Sequence, residues 1–343
     1  MMKIWRPAVF HGGRLDRQFF EGWYFKLVSA NQQRRWAIIP GVFHHPDPGL
    51  RHAFIQVLDG MTSQVSYHRF PLEDFWASTT DFEIRVQENT FNSEGISLDL
   101  ADIGRTVKGE VTFGRLTPWP VKAFSPGVMG PYRFAPFMQT YHGVLSLDHA
   151  IDGGLVVDSQ EVDFSDGRGY IEKDWGATFP RAYIWMQSNH FEEGGVSFTG
   201  SVATIPWLAG WFRGFLVGLM IRGKLYRFTT YLGSTVNSLT VDDRRVKWLL
   251  TGKRVSDPAG AFPGYQLVIR AEKSTGGLLS SPELDGMTPR ILESLTASFA
   301  IELRGKDDQG EFSHKIYQGK GVCGGLEIAG TVHELTDQSG EET

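Results

Sequence analysis

The feature that most constrains this chain is a two-residue alternation of apolar and polar side chains, repeated along its length and broken by Gly- and Asp-rich turns. Phe82, Ile84 and Val86 alternate with Asp81, Glu83, Arg85 and Gln87, and Val107, Val111 and Phe113 alternate with Lys108, Glu110 and Thr112. Successive strand side chains point to opposite faces, so this pattern is the mark of half-buried strands. Further strands are expected at 23–29, 36–43, 52–58, 155–164, 182–191, 196–205, 224–232, 265–272, 296–303 and 326–335. Helical periodicity is rare, and 287–294 is the best short helix candidate. With this many strands, closed antiparallel barrels are the economical way to leave no open edge, so the expected class is all-β.

At 343 residues the chain exceeds the usual single core, which predicts two domains or one long all-β unit. Pro118, Pro120, Pro126, Pro131 and Pro136 interrupt any ladder between 116 and 136, and the interdomain crossing is placed there. The expected organisation is a barrel over 1–135, a second over 136–335 and a disordered polar tail over 336–343.

A formal charge of −5, with no basic run, gives no footprint for nucleic acid. The single cysteine, Cys323, cannot form an internal disulfide and reads as a buried apolar thiol, which suits a reducing compartment. Residues 1–14 lack the pattern of a signal or transit peptide, so the expectation is cytoplasmic. The apolar stretch 205–221 carries Arg213 and falls short of the ~20 residues of a spanning helix. It reads as a buried strand pair or an apolar loop, with peripheral membrane contact left open. Aromatic residues reach 13% and would suit a ring-lined cavity, although they also fill β cores.

Three segments could carry chemistry. Glu21 lies among Phe19, Phe20, Trp23, Tyr24 and Phe25. Such surroundings would favour its neutral, proton-donating form, unless it is paired with an Arg or caps a turn. In an extended Tyr170-Ile171-Glu172-Lys173-Asp174 segment, Tyr170, Glu172 and Asp174 share one face. Two adjacent carboxylates disfavour each other's ionisation, which is the raw material of general acid catalysis. The other reading is a solvated polar face with Lys173 behind it. A third stretch projects Tyr183, Trp185, Gln187, Asn189 and Phe191 to one side, which fits the polar end of an aromatic pocket or a water-filled gap.

His142 opens a strand after the Pro-rich stretch, and is either structural or catalytic. His44 and His45 are adjacent and so point oppositely on a strand, without companion ligands, and no metal is expected. No phosphate loop, nucleophile elbow or zincin motif is present.

The segments 20–26, 126–130, 169–176 with Phe179 and Pro180, and 185–191 together resemble the hallmarks of the tocopherol cyclase family, in order and spacing, over roughly the first 220 residues. The resemblance implies two tandem lipocalin-like antiparallel β-barrel domains, related to the carotenoid 1,2-hydratases. It also implies cofactor-free closure of a prenylated hydroquinone to a chromanol. An acid protonates the alkene and the phenol oxygen traps the tertiary cation. The hydratases place their acid in a Tyr-x-Asp-x-x-x-Gly pattern that matches Tyr170, Glu172 and Gly176, with Glu replacing Asp, and an upstream histidine that falls near His142. Asp174 stands where the hydratases tend to carry an amide. Plant cyclases carry a transit peptide that this start does not resemble, so the likeness is to the bacterial branch.

The expected roles follow. Glu172 is the proton donor, Asp174 and Tyr170 tune it, and His142, Gln187 and Asn189 orient the polar head. Glu21, Trp23, Trp175, Tyr183 and Trp185 are expected to contact a small apolar isoprenoid or prenylquinol substrate. Two rival readings remain: a hydratase in which water takes the cation, and a carrier that binds an apolar ligand without chemistry.

Overall fold

The computed structural model describes residues 3–12, 16–102, 105–136, 138–207, 210–255 and 260–337. Its regular structure is β throughout, with only short 3-10 turns beside it among the described residues. None of its helices is long and apolar enough to cross a membrane.

The first unit is built on β1 (Phe19–Val28), β2 (Arg35–His44), β3 (His52–Asp59), β4 (Gln64–Phe70), β5 (Phe75–Ala77), β6 (Glu83–Val86), β7 (Asn89–Asn92), β8 (Gly95–Asp102) and β9 (Arg105–Phe113). A small hairpin, β10 (Val121–Lys122) and β11 (Ser125–Pro126), precedes β12 (Thr140–Val157), β13 (Gln160–Asp163) and β14 (Gly167–Gly176). The sheet runs β4-β3-β2-β1-β14-β12-β9-β8-β7-β6-β5, with β13 on the side of β12. Its two ends, β4 and β5, are consecutive in the chain and joined by the turn Leu72–Asp74. One face of each strand fills the interior: Trp23, Phe25 and Leu27 of β1, Ile38 of β2, Ile55 and Val57 of β3, Val107 and Val111 of β9, and Ile171 of β14.

The second unit follows the same plan. Its strands are β15 (Ala182–Ser188), β16 (His190–Phe191), β17 (Val196–Trp207), β18 (Gly210–Ile221), β19 (Lys224–Thr229), β20 (Thr235–Val241), β21 (Arg245–Gly252), β22 (Tyr265–Glu272), the part of β24 (Gly286–Gly305) from Leu292 on, and β25 (His314–Gly330), whereas β23 (Gly277–Glu283) falls in the first unit. The order is β19-β18-β17-β15-β25-β24-β22-β21-β20, and again the two ends are consecutive strands. Ile184, Phe198, Val217, Phe228, Trp248, Leu267, Ile269 and Phe299 fill its interior. The expected class, two antiparallel lipocalin-like barrels, is the observed one.

The boundary differs from the expected 135/136 division. The first unit takes Met1–Phe179 with Gly277–Ile291, and the second takes Pro180–Gly276 with Leu292–Thr343. The reason is long-range pairing: β12 joins β9, and β14 lies between β12 and β1, so the chain after the Pro-rich stretch returns to complete the first barrel. The prolines mark only the β10–β11 hairpin and the 3-10 turn Gly130–Phe134. The arm 277–291 belongs to the first unit, where Gln56 exchanges two hydrogen bonds with the Ser280 backbone.

The structure differs from the local expectations in three places. The helix candidate 287–294 lies within β24, where the apolar spacing of Met287, Ile291 and Leu295 yields to cross-strand pairing. The stretch 155–164 is a hairpin, β12 to β13, that turns at Asp158 and Ser159 with φ of +49° and +69°. Of the tail, Asp337 is tied to the second unit through the Leu239 backbone N–H, and residues 338–343 lie outside the described residues. The stretch 205–221 is the expected strand pair, with Ile205 opposite Phe212, but Trp207 and Trp211 are exposed. Cys323 is buried.

Candidate functional site

β14 is the middle strand of the first unit's most buried region, and its two neighbours determine what surrounds the sequence-predicted trio. Tyr170 faces Lys26 across the ladder to β1, Glu172 faces Tyr24, and Asp174 faces Gly22. On the β12 side, Asp174 faces His142. Because Ile171 points into the barrel core, Tyr170, Glu172 and Asp174 leave the opposite face, as the two-residue period requires. That face is not solvated: Tyr170 is 0% and Glu172 5% exposed. A strand buried on both sides overturns the reading of a solvated polar face.

The four polar groups form one line. The Tyr170 hydroxyl donates to Glu172 Oε2 at 2.5 Å. His142 Nε2 lies 3.8 Å from that same oxygen, and His142 Nδ1 lies 3.0 Å from Asp174 Oδ1. The line runs from the buried Tyr170 to Asp174, whose side chain is 27% exposed. The two carboxylates do not meet directly, since the imidazole stands between them with one nitrogen toward each.

Glu21, Trp23 and Trp175 come together elsewhere, on the core side of β1 and β14 with Lys173. Glu21 and Lys173 are both fully buried and form an ion pair. The Lys173 ammonium also donates to the carbonyls of Val9 at 2.5 Å and Pro7 at 3.1 Å, and lies 3.0 Å from His11 Nδ1. It stands over the rings of Trp23 at 4.5 Å and Trp175 at 4.9 Å. Glu21 accepts from the backbone N–H groups of His11 and Gly12, and the Trp23 indole donates to Ala8 O at 3.0 Å. Trp175 is stacked by His11 at 4.2 Å and by Tyr141 at 5.6 Å.

The electrostatics follow from burial. Desolvation alone would raise Glu21, but the Lys173 ammonium and His11 hold it below the usual carboxylate range. Burial pushes Lys173 down to about 8 against the pull of Glu21, and pushes His11 down to about 4. Glu21 is therefore a paired carboxylate and not a neutral acid, with Lys173 as its partner where an Arg was the expectation. It ties the segment 3–12 to the reverse side of the strand that bears Glu172.

Tyr183, Trp185, Gln187 and Asn189 belong to the second unit. Ile184 and Met186 enter its core, so Tyr183, Trp185 and Gln187 take the other face, all buried. The Tyr183 hydroxyl donates to Glu327 Oε2 at 2.7 Å, and Gln187 Nε2 lies 3.5 Å from Asn189 Oδ1. Asn189 Oδ1 also lies 3.0 Å from His190 Nδ1. Gly325 leaves room for the Trp185 ring, which a Cβ there would meet at 2.5 Å. The amides and rings thus form a hydrogen-bonded buried surface of that unit.

Sequence reasoning missed Tyr24 and Lys26, which share the face of Glu172, and Glu327 and Glu293, which stand opposite each other on β25 and β24. Only strand register identifies them. His142, Glu172 and Asp174 also bring ligand atoms within 4.8 Å of one another, a set of one imidazole and two carboxylates that could hold a metal ion. The imidazole now points a different nitrogen at each acid, so a single ion would have to displace that bridge.

Residues 126–330, more than half of the chain, match the family model described as tocopherol cyclase-like. The Oryza sativa subsp. japonica protein named Probable tocopherol cyclase, chloroplastic, is 23% identical over 374 residues, covering 94% of this chain and 77% of that protein. Among solved structures, CghA with Sch210972 superposes with a TM-score of 0.53 at 12% identity, covering 91% of this chain and 89% of that one. A Nitrosomonas europaea protein bearing the AttH name gives 0.52 at 14% identity, covering 93% and 94%. The two structures speak for the fold alone, whereas the family model bears on descent, and the chain belongs to the tocopherol cyclase-like family.

Proposed function

We propose that the Glu172 face carries out acid-catalysed ring closure of a prenylated hydroquinone, or a similar isoprenoid lipid, to a chromanol. The observation that carries the proposal is the line Tyr170–Glu172–His142–Asp174, which gives a buried carboxyl a polar route toward solvent. A reusable proton donor in a dry site needs such a route. Membership of the tocopherol cyclase-like family supports the class of reaction.

In the proposed reaction, Glu172 gives its proton to the less substituted carbon of the prenyl alkene. A C–H bond forms and positive charge develops on the tertiary carbon, beside the ring of Tyr24. The phenol oxygen attacks that carbon, the C–O bond closes, and the phenol O–H bond breaks. Its proton returns to the Glu172 carboxylate, directly or through the Tyr170 hydroxyl, so the acid is regenerated and no electrons are exchanged. His142 and Asp174 hold Glu172 in place and connect it to solvent. Tyr183, Trp185, Gln187 and Asn189 remain proposed substrate contacts, each open to test by substitution.

A substrate of this kind partitions into bilayers, so we also propose a cytoplasmic enzyme with peripheral membrane contact. The exposed indoles of Trp207 and Trp211 suit a lipid interface. The test of function is Glu172→Gln, which should abolish turnover of a prenyl hydroquinone and leave binding intact; wild-type rates in that variant would sink the assignment. Product mass together with chromatography decides among the rivals. Ring closure leaves the mass unchanged, hydration adds a water, and a carrier returns its ligand intact.

A further inference from the structure

We infer that Arg133 anchors an oxyanion site on the side of β14 opposite Glu172, one that takes a small carboxylate or phosphate. The inference does not depend on the cyclase reading above. Arg133 lies in the 3-10 turn Gly130–Phe134 and is only 8% exposed. Its guanidinium carbon stands 4.7 Å from the centre of the Trp175 ring and 5.1 Å from that of Tyr141. Tyr141 and Trp175 are directly opposed on β12 and β14, and their rings lie 12° from parallel with centres 5.6 Å apart. Two rings thus make a floor for one cation.

The rings hold the charge but offer no oxygen or nitrogen lone pair, and a guanidinium carries five N–H donors. Among the described residues Arg133 makes no hydrogen bond and no ion pair, and its Nε is sealed from solvent without an acceptor. The Tyr141 hydroxyl is directed to Ala135 O at 2.5 Å. A buried donor without an acceptor is uncommon in a folded protein, and a bound ion is one of the ways such a group is satisfied.

Charge selects the sign of the ligand. The carboxylate that acts on Arg133 is Glu21, which is ion-paired with Lys173. Arg133 and Lys3 in turn act on Lys173 as like charges, and His11, held down to about 4, is neutral at pH 7. Three cations among these groups therefore stand against one carboxylate, and an anion relieves the excess. The planar fork of a guanidinium matches the two oxygens of a carboxylate or phosphate, which a spherical halide lacks. Tyr141 and Trp175 are the chain neighbours of His142 and Asp174, so an oxyanion that fixes the guanidinium on these rings also steadies the outer end of the polar line on the other face.

The test compares acetate, inorganic phosphate and chloride at matched ionic strength, on wild type, Arg133→Met and Arg133→Lys. Binding is measured by titration calorimetry, and the site is followed through the Arg133 Nε–H resonance, assigned by its loss from both variants. Wild type should bind acetate and phosphate saturably and shift that resonance, whereas chloride should do neither. Affinity should fall at least ~10-fold in Arg133→Met, as for loss of a hydrogen bond to a charged group. It should fall less in Arg133→Lys, which keeps the charge and loses the fork, and which also serves if the methionine variant folds poorly. With oxyanion at about ten times its Kd, hydrogen exchange at the Tyr141 and Trp175 amides should slow ~10-fold in wild type and stay unchanged in Arg133→Met. Equal oxyanion affinity in the three proteins would place the anion elsewhere, and equal effects of chloride and acetate would reduce it to screening; either result overturns the inference. An Arg133 resonance unmoved by both oxyanions would do the same.

Discussion

Removing the ammonium of Lys173 should damage the first barrel far more than its position among polar neighbours in sequence suggests. In Lys173→Met, Glu21 remains fully buried, with His11 and the N–H groups of His11 and Gly12 as its surroundings. Breaking one side of a buried ion pair costs about 3–5 kcal/mol. The carbonyls of Pro7 and Val9 lose their donor as well, and part of that loss is offset by a thioether packed between Trp23 and Trp175. The net expectation for the single variant is about 4 kcal/mol at pH 7, where Lys173, with a pKa of about 8, is still charged.

Glu21→Gln should cost a similar amount. The double variant should fall short of the sum by at least ~2 kcal/mol, because neither leaves the other as an unpaired buried charge. The assay is native-state hydrogen exchange at the amides of Phe25 and Ile171, which lie in the first barrel's core ladder and report that unit alone. A cost below ~1 kcal/mol for Lys173→Met, or simple additivity in the double variant, would refute the account of the pair.

Other perturbations separate the site from its support. Tyr170→Phe removes the hydrogen bond to Glu172 and should lower kcat ~10- to 100-fold, with KM nearly constant; a change within a factor of three would remove Tyr170 from the proton path. Tyr24→Leu should lower kcat by about 3- to 30-fold through the lost cation-stabilising ring, with substrate binding measured alongside to separate packing from rate. Burial holds His149 down to about 3. Its unfolded counterpart takes up a proton below about pH 6.5 that the folded ring refuses, so stability is full above that value and is lost as pH falls toward 3. By pH 5 the loss from this group is about 2 kcal/mol. Urea unfolding at pH 7 and pH 5 should therefore show a shallower pH dependence in His149→Asn, and equal slopes would contradict the assignment.

Much of the fold was legible because half-buried strands advertise themselves. The runs around Ile84 and Val111 keep strict alternation and form β6 and β9. The trio Tyr170, Glu172 and Asp174 followed from the same period, and its burial from nothing local. β1 shows why the rest was hidden. Both of its faces are buried, so Phe19–Val28 carries no polar contrast to tell which side each residue takes. Sequence alone therefore groups Glu21 and Trp23 with the Glu172 face, whereas Tyr24 and Lys26 are the residues of β1 that lie on it. Register between β1 and β14, which sets this face, comes from contacts more than a hundred residues apart in sequence. The same long-range closure defeated the domain boundary, because prolines report a local break in the ladder and not which barrel the next strand will join.

The central claim is that a proton from Glu172 becomes a carbon-bound hydrogen of the product. Turnover of a prenyl hydroquinone in deuterated water tests it most directly, with wild type and Glu172→Gln compared after the exchangeable sites are washed back to hydrogen. Wild type should yield a chromanol with a single retained deuterium on the former alkene carbon, and Glu172→Gln should bind the substrate and form none. A ring-closed product without retained deuterium, or equal labelling in both proteins, would contradict it.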